Sequence, residues 1–116
     1  MNNKPKYNLF KNSQYAIDGF MHAIKTEQSF RIEFIIALVA IPIIILTPFL
    51  LWQKIVLFVT YFIIMIVELL NSSIENTVDL VTQQIHPLAK SAKDIGACAV
   101  LFSVILHISC WVVFLL

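Results

Sequence analysis

A polar stripe runs along one face of a predicted membrane helix, at a position where such helices are normally apolar. On a helical projection, Glu68, Glu75 and Asp79 fall within about 40° of each other. Ser72 lies on the same stripe, and Asn71 lies at its edge. Carboxylates inside a membrane helix are costly unless they face protein, water or a cation. The stripe is therefore a candidate site for chemistry that uses charge.

Three carboxylates on one face repel each other unless a cation lies between them. A hard divalent cation such as Mg²⁺ suits this stripe, because it takes oxygen ligands and usually keeps waters and phosphate oxygens in its shell. Glu27, just ahead of the first predicted span, offers one more carboxylate on the same side. The alternative interpretation is a polar seam that joins helices by hydrogen bonds, which Asn71 and Ser72 alone would support.

Residues 86–94, between the second and third predicted spans, have side chains that suit phosphate binding. Lys93 opens the third helix, where its ammonium can reach interfacial phosphate, and Asp94 favours the positive N-terminus of that helix. Lysines also anchor membrane helices by snorkelling. That interpretation stays open for Lys93 and is the one we favour for Lys90. His86 is either a ligand contact or an ordinary loop histidine.

Other chemistries are excluded by what the sequence lacks. It has no P-loop, no HExxH motif and no Ser-His-Asp arrangement, and its two glycines cannot form a glycine-rich phosphate cradle. With a net charge of +1, it has no basic patch large enough to bind nucleic acid. Cys98 and Cys110 lie about 18 Å apart along one predicted helix, so they cannot pair within it.

The composition places the polar stripe in a bilayer. Of the 116 residues, 59% are hydrophobic and 13% are charged, and the mean hydropathy is +0.86, whereas a soluble domain carries about 25% charged residues. We predict an all-α membrane protein with one domain, 1–116. A cytoplasmic segment, 1–31, precedes three transmembrane helices at 32–53, 55–82 and 91–116, of which the second extends into the cytoplasm.

The apolar residues of the N-terminal segment recur at helical spacing. Ile17, Phe20, Met21 and Ile24 follow the i, i+3, i+4, i+7 pattern of one helical face. Next to a spanning helix, this pattern predicts an amphipathic helix that lies on the cytoplasmic membrane surface.

The lysine and arginine residues predict the orientation of the chain in the membrane. Five of the eight, including Lys4, precede residue 34, and Lys90 and Lys93 lie between the second and third spans. Lys54 lies between the first and second spans. Because cytoplasmic segments carry the excess of these residues, we expect a cytoplasmic N-terminus and a C-terminus on the opposite side.

Three sequence patterns identify a family. The second helix carries Glu68-x-x-Asn71-Ser72-x-Ile74-Glu75-x-x-Val78-Asp79, and Ala92-Lys93-Asp94 with Ala99-Val100 follows in the third. Glu27-x-x-Phe30-Arg31-x-Glu33 stands ahead of the first span. With these patterns, from Tyr15 to Val100, the chain resembles the small integral-membrane prokaryotic diacylglycerol kinases, in the branch typical of Gram-negative bacteria. The resemblance implies a lipid kinase of the bacterial inner membrane that uses MgATP, with its active site at the cytoplasmic face. It also implies a homotrimer whose active sites are shared between neighbouring subunits.

The resemblance also implies a role for each matched residue. Glu68 would be the general base that takes the proton from the primary hydroxyl of diacylglycerol. Asn71 would orient Glu68 or the phosphoryl group, and Lys93 would stabilise the transferring phosphate. Glu27 and Glu75 resemble the ligands that join Mg²⁺ to the ATP phosphates. The remaining implied contacts are with the nucleotide, for Tyr15, His86, Lys93 and Asp94, and with the lipid, for Phe30, Arg31, Glu33, Glu68 and Ala97, the last standing where a serine is common.

The expected reaction is transfer of the γ-phosphate of MgATP to diacylglycerol, which gives phosphatidic acid. A sister branch in Gram-positive bacteria phosphorylates undecaprenol, but the segment 27–33 departs from the charged pattern of that branch, so we favour diacylglycerol. A small proton-coupled transporter built around Glu68 is an alternative from another class, although it leaves Glu75 and Lys93 unexplained. A non-catalytic assembly subunit is the third possibility.

Overall fold

The computed structural model describes residues 6–116, within which the chain is helical and forms no strand. Three of the helices are long and apolar enough to cross a membrane. The predicted all-α fold, with one N-terminal helix and three spans, is confirmed. Lys4, which we counted on the cytoplasmic side, lies outside the described residues. The elements are α1 (Leu9–Thr26), α2 (Gln28–Leu46), α3 (Leu51–Val81) and α4 (Pro87–Leu115).

Helix α1 is docked on α2 by aromatic side chains. The ring of Phe20 lies edge-on to Phe30 and Phe34, with ring centroids 5.9 and 5.4 Å away. Of the other predicted apolar positions, Ile17 and Met21 are 56% and 45% exposed, and Ile24 is half-buried. The apolar face of α1 therefore divides between packing on α2 and an open surface of the kind that suits a membrane interface.

The link between α1 and α2 is a single residue, Glu27, with an extended backbone. Arg31 stabilises this corner, because its Nε donates to the carbonyl oxygen of Ile24 at 2.8 Å and its Nη2 donates to that of Lys25 at 2.9 Å. These carbonyls belong to the last turn of α1, where backbone acceptors lack intrahelical donors. The corner fixes the position of the Glu27 side chain.

The helix boundaries differ from the predicted ones at three places, and the first is the start of α2 at Gln28 instead of residue 32. The predicted span 32–53 is divided between α2 and α3 by a turn at residues 47–50, because Pro48 cannot continue the helix and holds the preceding residue extended. Lys54 lies in the first turn of α3, and its Nζ donates to the carbonyl oxygen of Ile45 at 2.7 Å. Pro42 is accommodated inside α2.

The last helix begins at Pro87, four residues before the predicted start at 91. Proline is favoured in the first turn of a helix, where its missing N–H costs nothing. The side chain of His86 completes the start, because its Nδ1 accepts a hydrogen bond from the backbone N–H of Leu88 at 3.1 Å. Lys93 therefore lies in the second turn of α4 instead of opening the helix.

Helices α3 and α4 are antiparallel neighbours, and their interface changes character along its length. On α3 the buried positions recur every three or four residues and pass from apolar Leu57 and Ile64 to polar Glu68 and Asn71. This spacing keeps them on one helical face. The face that builds the core near one end of the helices therefore builds a polar site near the other.

At the apolar end, a chain of hydrogen bonds with a buried central link joins α3 to α4. The indole N–H of Trp111 donates to Nε2 of His107 at 3.0 Å. The proton of this neutral imidazole is therefore on Nδ1, which lies 2.7 Å from Oγ1 of Thr60. Thr60 in turn donates to the carbonyl oxygen of Val56 at 2.9 Å. His107 therefore acts as a hydrogen-bonding residue between the two helices.

Candidate active site

A polar cavity of about 390 Å³ lies where the α1–α2 corner meets the second half of α3 and the first half of α4. The corner, α3 and α4 each supply part of its lining, and the buried face of α3 is polar at this level. Five of the predicted site residues line it, together with Gln28, Ser29, Ser72 and Val100. Those five are Glu27, Glu68, Asn71, Glu75 and Ala97.

Glu68 is the most buried carboxylate that lines this cavity, with 6% of the residue exposed. Its carboxylate accepts no hydrogen bond from any residue in the range 6–116, and Glu75 and Glu27 lie within electrostatic reach of it. Burying a charge without a partner costs several kcal/mol or more. Glu68 is therefore suited to accept a proton from a hydroxyl group that enters the cavity.

Asn71 has a fixed orientation beside Glu68. Its Nδ2 donates to Oε1 of Glu75 at 3.0 Å, whereas its Oδ1 is buried and has no hydrogen-bond partner within the described part of the chain. A flipped amide would place its oxygen against the Glu75 carboxylate. The bond to Glu75 therefore requires Nδ2 to face this carboxylate and Oδ1 to face away from it. Asn71 thus positions Glu75 directly and lies one turn from Glu68.

Asn76 is a site residue that the sequence analysis missed. Its Nδ2 lies 3.3 Å from Oε1 of Glu27 and ties the α1–α2 corner to α3. The residues of this pair are 49 positions apart in the chain. On the helical projection, Asn76 lies about 80° from Glu68, outside the 40° stripe. A wider arc would have included it.

The donor set of the cavity fits Mg²⁺. Glu27 and Glu75 each accept one amide hydrogen bond, and each has a second carboxylate oxygen that accepts none from residues 6–116. No group of three or more His, Cys, Asp or Glu side chains within those residues could hold a metal ion by itself. Mg²⁺ is usually held by one or two carboxylates together with waters and substrate phosphates. Two carboxylates beside a cavity therefore suit a cation that arrives with a nucleotide.

A second cavity, of about 300 Å³, lies beside the link between α3 and α4. His86, Lys93 and Asp79 line it. Nζ of Lys93 lies 2.6 Å from Oδ1 of Asp79, and the two side chains are 41% and 53% exposed. Lys93 is also within electrostatic reach of Glu75. Lys93 therefore lines the second cavity and also interacts electrostatically with Glu75, which lines the first. Asp79 belongs to the polar stripe but received no site role from the sequence.

Two predicted nucleotide contacts lie outside both cavities. Asp94 forms an ion pair with Lys90 at 2.5 Å, with both side chains largely exposed. Tyr15 lies on α1 and is 44% exposed. In this single chain, neither residue converges with Glu27 or Glu75.

Apart from Glu68 and Ala97, the residues predicted to contact the lipid do not line the cavity of Glu68. Phe30 is 1% exposed and packs in the aromatic cluster on α1, and both donor groups of Arg31 described above are used at the α1–α2 corner. Glu33 differs from these two residues, because its Oε2 is buried without a hydrogen-bond partner in residues 6–116. It lies within electrostatic reach of Glu68, and its backbone carbonyl accepts a hydrogen bond from Tyr61 at 2.5 Å.

The chain is similar in sequence to known proteins. Residues 14–115 match the family model described as prokaryotic diacylglycerol kinase. The chain is 39% identical over 85 residues to a diacylglycerol kinase of Pseudomonas aeruginosa, covering 73% of this chain and 69% of that protein. It is 39% identical over 105 residues to one of Helicobacter pylori, covering 89% and 80%. It is 33% identical over 107 residues to one of Escherichia coli, covering 92% and 88%. The chain therefore belongs to the prokaryotic diacylglycerol kinase family and is a membrane-embedded kinase.

Proposed function

We propose that this kinase transfers the γ-phosphate of ATP to the primary hydroxyl of diacylglycerol, which gives phosphatidic acid and ADP. The observation that carries the proposal is the cavity in which Glu68 lies buried beside Glu27 and Glu75. A lipid hydroxyl needs a proton acceptor, and a triphosphate needs a cation held by oxygen ligands. The lining of this cavity supplies groups for both requirements.

In the proposed reaction, the carboxylate of Glu68 takes the proton of the acceptor hydroxyl as its oxygen attacks the γ-phosphorus. The bond from that phosphorus to the bridging oxygen of ADP breaks, and ADP leaves. Asn71, which positions Glu75 and lies one turn from Glu68, keeps the two carboxylates in place during the transfer. Phosphoryl transfer requires mainly positioning and charge stabilisation, which these residues are suited to provide.

Glu27 and Glu75 are the residues we propose to hold Mg²⁺. The bound ion would neutralise charge on the ATP phosphates. Lys93, now paired with Asp79, would exchange that partner for the transferring phosphate. Tyr15, His86 and Asp94 remain proposed nucleotide contacts, although none of them lines the cavity of Glu68 in this chain.

The lipid would approach from the membrane beside α2. Glu33, with its unpartnered buried oxygen close to Glu68, is the side chain best suited to meet the acceptor. We propose that Ala97 borders the hydroxyl, and that Phe30 and Arg31 act mainly by holding the α1–α2 corner. The site would then lie at the cytoplasmic face of the bacterial inner membrane, with the N-terminus on that side.

We further propose a homotrimer. The large apolar side chains of all three spanning helices are extensively exposed in a single chain, including Ile36, Phe62 and Phe102. Three helices are too few to enclose a polar cavity, and neighbouring subunits would supply the missing wall. Association would place the three sites at subunit boundaries.

The relatives named above are all diacylglycerol kinases, so the comparisons do not favour undecaprenol kinase, a proton-coupled transporter or an assembly subunit. The test is an assay with radiolabelled ATP in mixed micelles that contain diacylglycerol and undecaprenol side by side. We expect label in phosphatidic acid, dependent on Mg²⁺. Label confined to undecaprenyl phosphate would contradict the proposed substrate, and proton-driven solute flux without ATP consumption would support the transporter.

A further inference from the structure

A glycine on α4 forms the wall behind the Asn71 carboxamide. Gly96 is buried, and a Cβ added to it would overlap Oδ1 of Asn71 and lie 3.2 Å from its Cγ. The space that a side chain would occupy at residue 96 is therefore filled by the amide of residue 71. The backbone of Gly96 does not require glycine, since its φ is not positive. Glycine is required at this position because a side chain would need the space that Asn71 fills.

This close approach accounts for the unpartnered oxygen of Asn71. The amide has one end against Gly96 and the other end, Nδ2, on Glu75 at 3.0 Å. Movement of Oδ1 away from α4 would rotate the amide and pull Nδ2 away from the carboxylate. The packing at Gly96 and the hydrogen bond to Glu75 are therefore mechanically linked.

We propose that Gly96 is a positioning residue, whose missing side chain holds Asn71 in the orientation that fixes Glu75 for the cation. The inference rests on the proposed function in one respect, that Glu75 is a metal ligand. Partners that orient a metal ligand typically change metal affinity by about 10- to 100-fold when they are removed. Gly96 acts through Asn71 and touches neither cation nor substrate.

The substitution Gly96→Ala tests the proposal, and the chain offers a matched control. An added Cβ at Gly19, on α1, would meet no atom within 4 Å. Both substitutions replace a helical glycine by alanine and gain similar helix propensity, so their difference isolates the contact with Asn71. Because the clashing atom is the end of a side chain that can rotate, we expect Gly96→Ala to fold.

The measurement is binding of Mn²⁺, titrated together with a non-hydrolysable ATP analogue, to the purified full-length protein in detergent, followed by electron paramagnetic resonance. We expect Gly96→Ala to weaken Mn²⁺ affinity about tenfold, whereas Gly19→Ala matches the wild type. Unchanged affinity in Gly96→Ala, or an equal loss in both variants, would overturn the proposal.

A double-mutant cycle separates positioning from general damage to the fold. Asn71→Ala removes the atoms that the new methyl group would strike. Adding Gly96→Ala to Asn71→Ala should therefore cause no further loss of Mn²⁺ affinity, whereas a second tenfold loss would contradict the mechanism. If Gly96→Ala does not fold, recovery of folding in the double variant supports the steric link, and its failure to fold overturns it.

The same experiment distinguishes this inference from the proposed function. A wild-type chain that binds Mn²⁺ and shows the expected cycle, but phosphorylates no diacylglycerol, would contradict the proposed reaction and support the role of Gly96. A wild-type chain that phosphorylates diacylglycerol but shows independent effects at residues 71 and 96 would support the proposed reaction and contradict the role of Gly96.

Discussion

The two ends of the α3–α4 interface treat buried polar groups in opposite ways. Around His107, each donor and acceptor has a partner, from the indole of Trp111 through the imidazole to Thr60. Around Glu68, the carboxylate of this buried residue receives no hydrogen bond from residues 6–116, and the Oδ1 of Asn71 is itself buried without one. Native proteins leave few buried polar atoms unpaired. The comparison shows that the same pair of helices pairs its polar groups at one end and leaves polar groups without hydrogen-bond partners beside a cavity at the other.

The largest effect is expected at the end without partners. Glu68→Gln retains the size of the side chain but removes the base, and general-base catalysis contributes about 10²–10⁴-fold. We expect the rate of phosphate transfer to diacylglycerol to decrease by about 10²–10⁴-fold, while ATP binding is retained. Transfer of radiolabelled phosphate, together with nucleotide binding, measures both properties. Normal turnover would remove Glu68 from the role of base.

Asn76→Ala sharpens the comparison at the edge of the same cavity. It deletes the amide that lies 3.3 Å from Glu27, so we expect the Mg²⁺ concentration for half-maximal activity to rise about tenfold. Maximal activity at saturating Mg²⁺ should change much less. Thr77→Ala, one residue further on and also exposed, is the matched control, because its hydroxyl donates within α3. Equal Mg²⁺ dependence in both variants would contradict a role for Asn76.

His107→Leu tests the end where the polar groups are paired. It leaves the Thr60 hydroxyl and the Trp111 indole without their shared partner, and membrane hydrogen bonds contribute about 0.6 kcal/mol each. We expect a loss of about 1 kcal/mol in the free energy of unfolding, measured by thermal denaturation in detergent. Activity per folded molecule should be unchanged. A loss of activity without a loss of stability would show that the two ends are not independent.

The smallest effect is expected from Asp79→Asn, because the pair with Lys93 is about half-exposed. Exposed ion pairs contribute at most about 1 kcal/mol, so unfolding should change little. The release of Lys93 should instead lower the KM for ATP slightly, if Asp79 competes with phosphate for the ammonium. An increase in KM would indicate that Asp79 holds Lys93 in its working position.

The number of helices was predictable, because uncharged runs long enough to span a bilayer are visible in hydropathy. Their ends were less so. The turn at 47–50 depended on which of two prolines would end a helix, and both Pro42 and Pro48 lie in the same uncharged stretch. The early start of α4 was signalled by His86 and Pro87, a capping pair that we placed in the link between the second and third spans.

The candidate site was predictable where its residues share one helix. Glu68, Asn71 and Glu75 are linked by helical periodicity alone, and the structure brings them to one cavity. The contacts of Asn76 with Glu27 and of Asn71 with Gly96 join separate elements, so no spacing rule reports them. Arg31 and Phe30 matched a family pattern, but their contacts in the folded chain show that their side chains stabilise the α1–α2 corner.

Helix α3 is unbroken for 31 residues, about 46 Å at 1.5 Å per residue, and thus longer than a hydrocarbon core of about 30 Å. The carboxylates near its far end are carried by the same rod that crosses the bilayer. A thicker host membrane should draw them toward the acyl chains, and a thinner one should lift them toward bulk water, since mismatch is relieved by tilting or by local deformation of the lipid. The rate of phosphate transfer should therefore have an optimum in the acyl-chain length of the host lipid, and the length of α3 would make activity sensitive to membrane thickness.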